Sequence, residues 1–163
     1  MQKALPVDWI RLKRGAQAVA AAAIVACFVL SVRHVHDDVR EEPDSLAYRG
    51  GATWLAANTP SDSIVFHTDW DDFPMLFFYN THNRYIVGLD ADNLRLKDEQ
   101  LFRLWESITL GEVADPADQI IQTFHSHYVF TDREHDDFIR IADSSSRFQR
   151  KFIDDYTIVY RVD

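Results

Sequence analysis

The alternation of apolar and polar positions divides the chain into two unlike parts. Residues 15–32, GAQAVAAAAIVACFVLSV, form one apolar run in which only Gln17 and Ser31 are clearly polar. At the rise of an α-helix such a run spans about 27 Å, enough for a hydrocarbon core of about 30 Å. Beyond it the apolar positions come in short periodic segments. Leu46, Ala47, Gly50, Gly51, Trp54 and Leu55 recur at helical spacing and predict a helix over 43–58, with Pro43 in its first turn and Asn58-Thr59-Pro60 as its stop. Two glycines inside a helix cost about 1 kcal/mol each relative to Ala, so their presence predicts a close approach to a sheet. Residues 63–67 read as a short buried strand and 84–88 as a second. Between them 73–79 is apolar nearly all round and is expected to be a buried helix.

Residues 98–110 predict an amphipathic helix with Leu101, Leu104, Trp105 and Ile108 inward and Gly111 as its stop. Asp115-Pro116 opens another, carrying Ile120, Ile121 and Phe124. A third strand follows at 128–131. Asp132 then caps a helix running to Ala142, with Phe138, Ile141 and Ala142 as its core. Residues 148–153 and 156–162 read as a hairpin around Asp154-Asp155, with Tyr156, Ile158, Tyr160 and Val162 on one face. The expected fold is therefore α/β: one N-terminal transmembrane helix, then a small three-layer α/β domain with a mainly parallel sheet closed by a C-terminal antiparallel hairpin.

Charge gives this layout a direction. Residues 1–14 carry Lys3, Arg11, Lys13 and Arg14 against Asp8 alone, whereas 33–163 hold 13 basic and 25 acidic residues, a net −12. The basic flank, with Trp9 suited to the interfacial belt, predicts a cytoplasmic N-terminus and a domain outside the cytoplasm. The expected organisation is a cytoplasmic basic segment (1–14), a transmembrane helix (15–32), a juxtamembrane connector (33–42) and an extracytoplasmic domain (43–163). A buried soluble helix and a cleaved signal peptide are the alternatives. The run is long for a signal peptide, and LSVRHVHDD offers no small-x-small cleavage site, so a signal anchor is preferred. An acidic domain excludes nucleic acid as a partner. Cys27, the one cysteine, lies in the apolar run, so no intramolecular disulfide forms.

The chemistry gathers in 64–90, a strand–helix–strand pattern with polar groups at its turns, where open α/β sheets bind ligands. The candidate ligand-binding residues are His67, Asp69, Trp70, Asp71, Asp72, Tyr79, His82, Asn83 and Asp90. Asp69, Asp71 and Asp72 suit a cation or a carboxylate pair acting on a sugar, but helix capping alone explains acidic residues before such a helix and is the preferred reading. His67 with His82, or His125 with His127, lacks the spacing of a zinc site, and His135-Asp136-Asp137 reads as a solvated first turn. No metal centre, phosphate loop or nucleophile motif is expected, and no cofactor.

A membrane helix, an alanine-rich helix ending W-L-x-x-N-T-P at 54–60 and a strand S-I-V-F at 63–66 resemble the C-terminal end of GT-C-type membrane glycosyltransferases. These are the polyprenol-phosphate-sugar-dependent enzymes similar to protein mannosyltransferases. D-W-D-D-F-P at 69–74, F-Y-N-T-H-N at 78–83, G-L-D at 88–90 and Y-V-F-T-D at 128–132 add to the likeness. In that family the catalytic acid lies in the first extracytoplasmic loop of a many-span protein, so the resemblance implies no catalytic residue here. It implies a C-terminal accessory or recognition domain, inactive alone, with the bilayer, a glycan or polyprenol-linked sugar and other membrane subunits as partners; Trp70, Tyr79 and Asn83 would meet the glycan. The alternatives are a membrane-anchored hydrolase using the Asp/His cluster at 67–82 and a structural partner-binding domain of a membrane complex.

Overall fold

The computed structural model describes residues 9–41 and 46–163, with side chains described from Ala16 to Val35 and from Leu46 onward. The basic residue Lys3, the placement of Pro43 in a first helical turn and the last connector residue, Glu42, lie outside the described residues. The chain forms two compact units, 1–43 and 44–163.

The first unit is one helix, α1 (Trp9–Glu41). Within it Ala16–Val35 is apolar and long enough to cross a membrane, with a mean hydropathy of 2.0. Its large side chains, among them Val19, Ile24, Phe28 and Leu30, are exposed, with no protein packed over them. Such a helix is stable in lipid, where its backbone is internally satisfied and its side chains need no protein partner. Among the described residues the chain thus has one bilayer-spanning segment. The segment expected as a connector is helical as far as Glu41.

The second unit runs α2 (Arg49–Asn58), β1 (Ile64–His67), α3 (Phe73–Tyr79), β2 (Arg84–Tyr85), α4 (Asp92–Lys97) and α5 (Glu99–Thr109). A single π-helical turn (Gln119–Thr123) follows, then β3 (Ser126–Asp132), α6 (Asp136–Ser144), β4 (Phe148–Ile153) and β5 (Thr157–Val162). The sheet order is β2-β1-β3-β5-β4. β1 pairs in parallel with both β2 and β3, whereas β5 pairs antiparallel with both β3 and β4. The sheet is therefore mixed, which corrects the expectation of a mainly parallel one. The hairpin does not simply add an edge: β5 enters the interior beside β3, and only β4 lies at the border. The burial of Thr157–Tyr160 on both faces of β5 explains why, since a strand apolar on both sides needs cover on both.

Helices cover the two faces as the period-2 alternation of the strands requires. Val65, Phe130 and Val159 pack with Ala52 and Leu55 of α2 and Leu76 of α3. Phe66, Val129, Ile158 and Tyr160 face the other way, onto Trp105 and Ile108 of α5, Ile120 of the π turn and Phe138 of α6. Burial of a side chain such as Leu55 contributes about 1.5–3 kcal/mol. The expected approach of α2 to the sheet is present: a Cβ on Gly51 would lie 2.7 Å from the Phe130 ring and 2.8 Å from Thr157 Oγ1.

Other expectations change in detail. The helix expected from residue 43 begins at Arg49, after a turn over 46–48. The second strand is only two residues long. α4 is an element the apolar pattern does not announce, because none of its residues is buried. α3 is not a buried helix: Leu76 alone is buried, while Phe77 and Phe78 are exposed. Its apolar circumference exceeds what one sheet face can cover.

Candidate functional site

The chain leaves β1 towards β2 on one side, through α3, and reaches β3 on the other side through α4 and α5. That reversal falls at the carboxyl ends of β1 and β3, the position where open α/β sheets receive ligands. The strand ends are held together past the ladder itself. Thr68 N–H donates to the Phe130 carbonyl at 3.3 Å, and Thr68 Oγ1 donates to Thr131 Oγ1 at 2.9 Å. Asp69 and Asp132, which follow, are thereby set side by side.

His67 works from below this rim. It is fully buried; Nδ1 lies 2.5 Å from the Asp69 carbonyl, and Nε2 meets the Val87 backbone, 3.0 Å from its carbonyl and 3.3 Å from its N–H nitrogen. Burial lowers its pKa, so the imidazole is neutral and serves as a strut for the Asp69 turn. Trp105 Nε1 donates to the His67 carbonyl at 3.0 Å and adds a second brace from α5.

On the neighbouring strand end, Asp132 Oδ1 accepts from Glu134 N–H at 2.9 Å, His135 N–H at 3.3 Å and His135 Nδ1 at 2.7 Å. The other ring nitrogen, Nε2, faces Asp69 Oδ2 at 3.8 Å. Ligand atoms of Asp69, Asp132 and His135 all lie within 4.8 Å of one another, and each residue is partly open to solvent. Burial opposes the charge of both Asp132 and His135, but their mutual hydrogen bond and attraction win. The carboxylate is held below its usual range and the imidazole above its own, with Asp69 and Asp72 adding to the latter.

Asp71 and Asp72 complete the cluster. Asp71 is exposed; partial burial and then the charge of Asp69 push its carboxyl up to about 6. Asp72 occupies the N-cap position of α3 yet makes no capping bond. Its carboxyl is buried, and among the described residues no donor completes a hydrogen bond to either oxygen. Burial, then Asp132, raise its pKa well above the carboxylate range, while the Tyr48 hydroxyl close by works the other way. The same burial and the Asp72 and Asp132 charges raise the Tyr48 phenol. Capping, the simplest account of an acidic turn before a helix, therefore does not explain Asp72.

The residues singled out from the sequence thus separate. Asp69, Asp71 and Asp72 meet at the carboxyl-end rim, with Trp70 between them and 45% exposed. His67 lies beneath, its ring nitrogens used by the backbone. His82 and Asn83 sit at the opposite end of the strands: His82 Nε2 donates to the Thr59 carbonyl at 2.9 Å, and Asn83 Nδ2 donates to Thr59 Oγ1 at 2.7 Å. Tyr79 is half-buried on α3 beside Phe78. Asp90 accepts from Asp92 N–H at 2.8 Å and lines a separate cavity of about 230 Å³ with Val87, Gly88 and Lys97.

Sequence reasoning missed the roles of Asp132, His135 and Tyr48. Asp132 read as a cap and His135 as a solvated helix face. The available signal was an acidic residue closing each of two strands, D-x-x-H following the second. Comparison with protein-family models, with curated proteins and with solved structures gives no match to this chain.

Proposed function

We propose that the domain is a membrane-anchored hydrolase whose chemistry takes place at the rim formed by Asp69, Asp71, Asp132 and His135. One observation carries this reading: ligand atoms of Asp69, Asp132 and His135, from two adjacent strand ends, converge within 4.8 Å where the chain reverses its direction across the sheet. The cluster offers a fixed imidazole, a carboxylate that orients it through Nδ1, and a second carboxylate facing Nε2, which together polarise a water molecule. Asp71, exposed in the same turn, moves the proton. Trp70, exposed between the carboxylates, suits a substrate with a flat apolar face such as a sugar ring. The basic residues on the N-terminal side of the apolar segment, Arg11, Lys13 and Arg14 among them, support a domain outside the cytoplasm. The transferase-tail reading rests on the resemblance of short motifs, and no geometric observation favours it over hydrolysis.

The test uses the full chain in detergent micelles against chromogenic acyl esters, phosphomonoesters, phosphodiesters and glycosides. Turnover of one class is expected, lost in Asp69→Asn and Asp132→Asn and retained in His82→Ala, which lies at the far end of the strands. Silence across all four classes, or full activity in both Asp variants, would refute the proposal.

A further inference from the structure

The domain leaves the outward face of α3 without cover. The helix carries no charged residue, and only Leu76 is buried beneath it. Pro74, Phe77 and Phe78, at spacings of three and four on the other side, are exposed, Phe78 to 75%. Trp70, in the turn that leads into the helix, is exposed as well. The rings are braced. Phe77 stacks on Phe73 with centroids 5.5 Å apart, Phe73 meets Tyr85 edge-on at 5.8 Å, and Phe78 meets Tyr79 edge-on at 4.9 Å. The Tyr85 hydroxyl donates to the Asn80 carbonyl at 2.9 Å and ties this stack to the end of the helix. Leu96 on α4 is more exposed still, but it stands between Arg95 and Lys97, and a single leucine among charges is ordinary surface. Two phenylalanines and a proline on an uncharged helix are not.

The length of the chain between membrane and domain says what covers this face. The apolar segment ends at Val35, and Leu46 already belongs to the domain. α1 stays helical to Glu41, which adds about 9 Å beyond Val35. From Glu41 to Leu46 the backbone reaches at most about 18 Å even at full extension. The unit 44–163, about 120 residues, has a radius of gyration of about 14 Å and so a diameter of roughly 35 Å. The tether is shorter than the domain is wide, so the domain never leaves the neighbourhood of the headgroups. The chain also enters the domain beside α3. Tyr48 packs edge-on against Phe130 at 5.7 Å, and its hydroxyl lies close to the carboxyl of Asp72, the residue that precedes the helix. Aromatic side chains are the ones favoured at the boundary between hydrocarbon and water. Residues 33–163 carry a net −12, so attraction to anionic lipid is not available and the contact must be apolar.

We infer that Pro74, Phe77 and Phe78 rest in the headgroup layer of the bilayer that α1 crosses, as a second point of attachment for the domain. The inference goes beyond the hydrolase reading and does not depend on it. Two phenylalanine rings would hold a free domain weakly. Tethering makes their insertion intramolecular, so a weak contact is enough to stay occupied. With two points of attachment the domain no longer turns freely on its tether, and one side of it faces the lipid.

The experiment uses the full chain in phosphatidylcholine vesicles. Cys27→Ser removes the native thiol, and one nitroxide label is attached in turn at Phe77→Cys, Phe78→Cys, Leu96→Cys and Gln149→Cys. All four positions are exposed in the domain, and circular dichroism checks that each variant is folded. Electron paramagnetic resonance compares collisions with oxygen, which concentrates in lipid, and with a water-soluble nickel chelate. The ratio of the two is expected to be at least about threefold higher at 77 and 78 than at 96 and 149, as for side chains about 5–10 Å into the boundary. It should not fall between about 0.1 and 1 M NaCl, because salt screens charge and not apolar contact. A ratio at 77 and 78 equal to that at 149 puts the face in water and overturns the inference. Spin–spin broadening at 78 with few collisions from either reagent means that a second copy covers the face, and overturns it too. So does a ratio that collapses in salt, or one as high at 96 as at 78.

Discussion

Asp72 offers the sharpest test of the electrostatics. In Asp72→Asn the side chain keeps its shape and loses its charge. In the native domain both carboxyl oxygens are shut away without a donor, and Asp132, Asp69 and Asp71 repel the charged form. A buried polar group without a partner costs about 1–3 kcal/mol, and more when charged. Asparagine keeps the polarity, so only the charge component is recovered, about 1–2 kcal/mol at neutral pH. For a domain of this size that raises the melting temperature by roughly 3–6 °C. The pH dependence has a definite sign. Because the folded pKa of Asp72 lies above the unfolded value of 3.8, the fold favours the proton. That contribution is fully present below about pH 4 and is lost as pH rises through the folded pKa. Native protein and variant should therefore melt together at pH 4 and separate progressively towards pH 8, with the variant the more stable. The assay is thermal unfolding of the full chain in micelles with chelator at pH 4, 6 and 8, read by tryptophan fluorescence. A variant no more stable than the native protein at pH 8 means that the carboxylate has a stabilising partner after all, and the reasoning fails.

Two further predictions lie away from the cluster. Gly51→Ala drives a methyl group against the Phe130 ring and Thr157 Oγ1. Overpacking of about 1–3 kcal/mol outweighs the gain of about 1 kcal/mol in helix propensity, so urea unfolding should show a net loss of stability; a net gain refutes the close packing of α2 on the sheet. Asp98→Ala removes the side chain that accepts from Leu101 N–H at 3.0 Å and caps α5. It should cost about 1 kcal/mol at every pH above the carboxylate range, which a calorimetric scan checks.

What could be read from the chain depended on the range of the interaction. α5 was legible because Leu101, Leu104, Trp105 and Ile108 repeat at helical spacing, with a capping Asp98 before them and Gly111 at positive φ after them. β5 was legible as a strand, but its place between β3 and β4 was not, since neighbours in a sheet are chosen by tertiary packing. Likewise the turn Asp69–Asp72 was visible as acidic. Its meaning depended on Asp132 and His135, some sixty residues away in sequence and adjacent only once β1 and β3 pair in parallel. His82 misled for the same reason: it is close to Asp72 in sequence, yet a helix carries it to the opposite end of the strands. α3 misled through composition, because an apolar sequence is expected to be buried while Phe77 and Phe78 remain in the open.

The borders of the sheet bear on how this domain lives beside its neighbours. A helix anchored in a bilayer confines every copy to a plane and raises the rate at which their surfaces collide. An open sheet edge in that setting invites strand-to-strand aggregation. One border here, β2, is two residues long and offers little to pair with. The other, β4, turns Gln149, Arg150 and Lys151 to solvent, and its register with β5 slips between Arg150 and Phe152. Charge, brevity and a break in register are the devices that keep edges apart, so crowded copies can slide past one another without zipping into fibres.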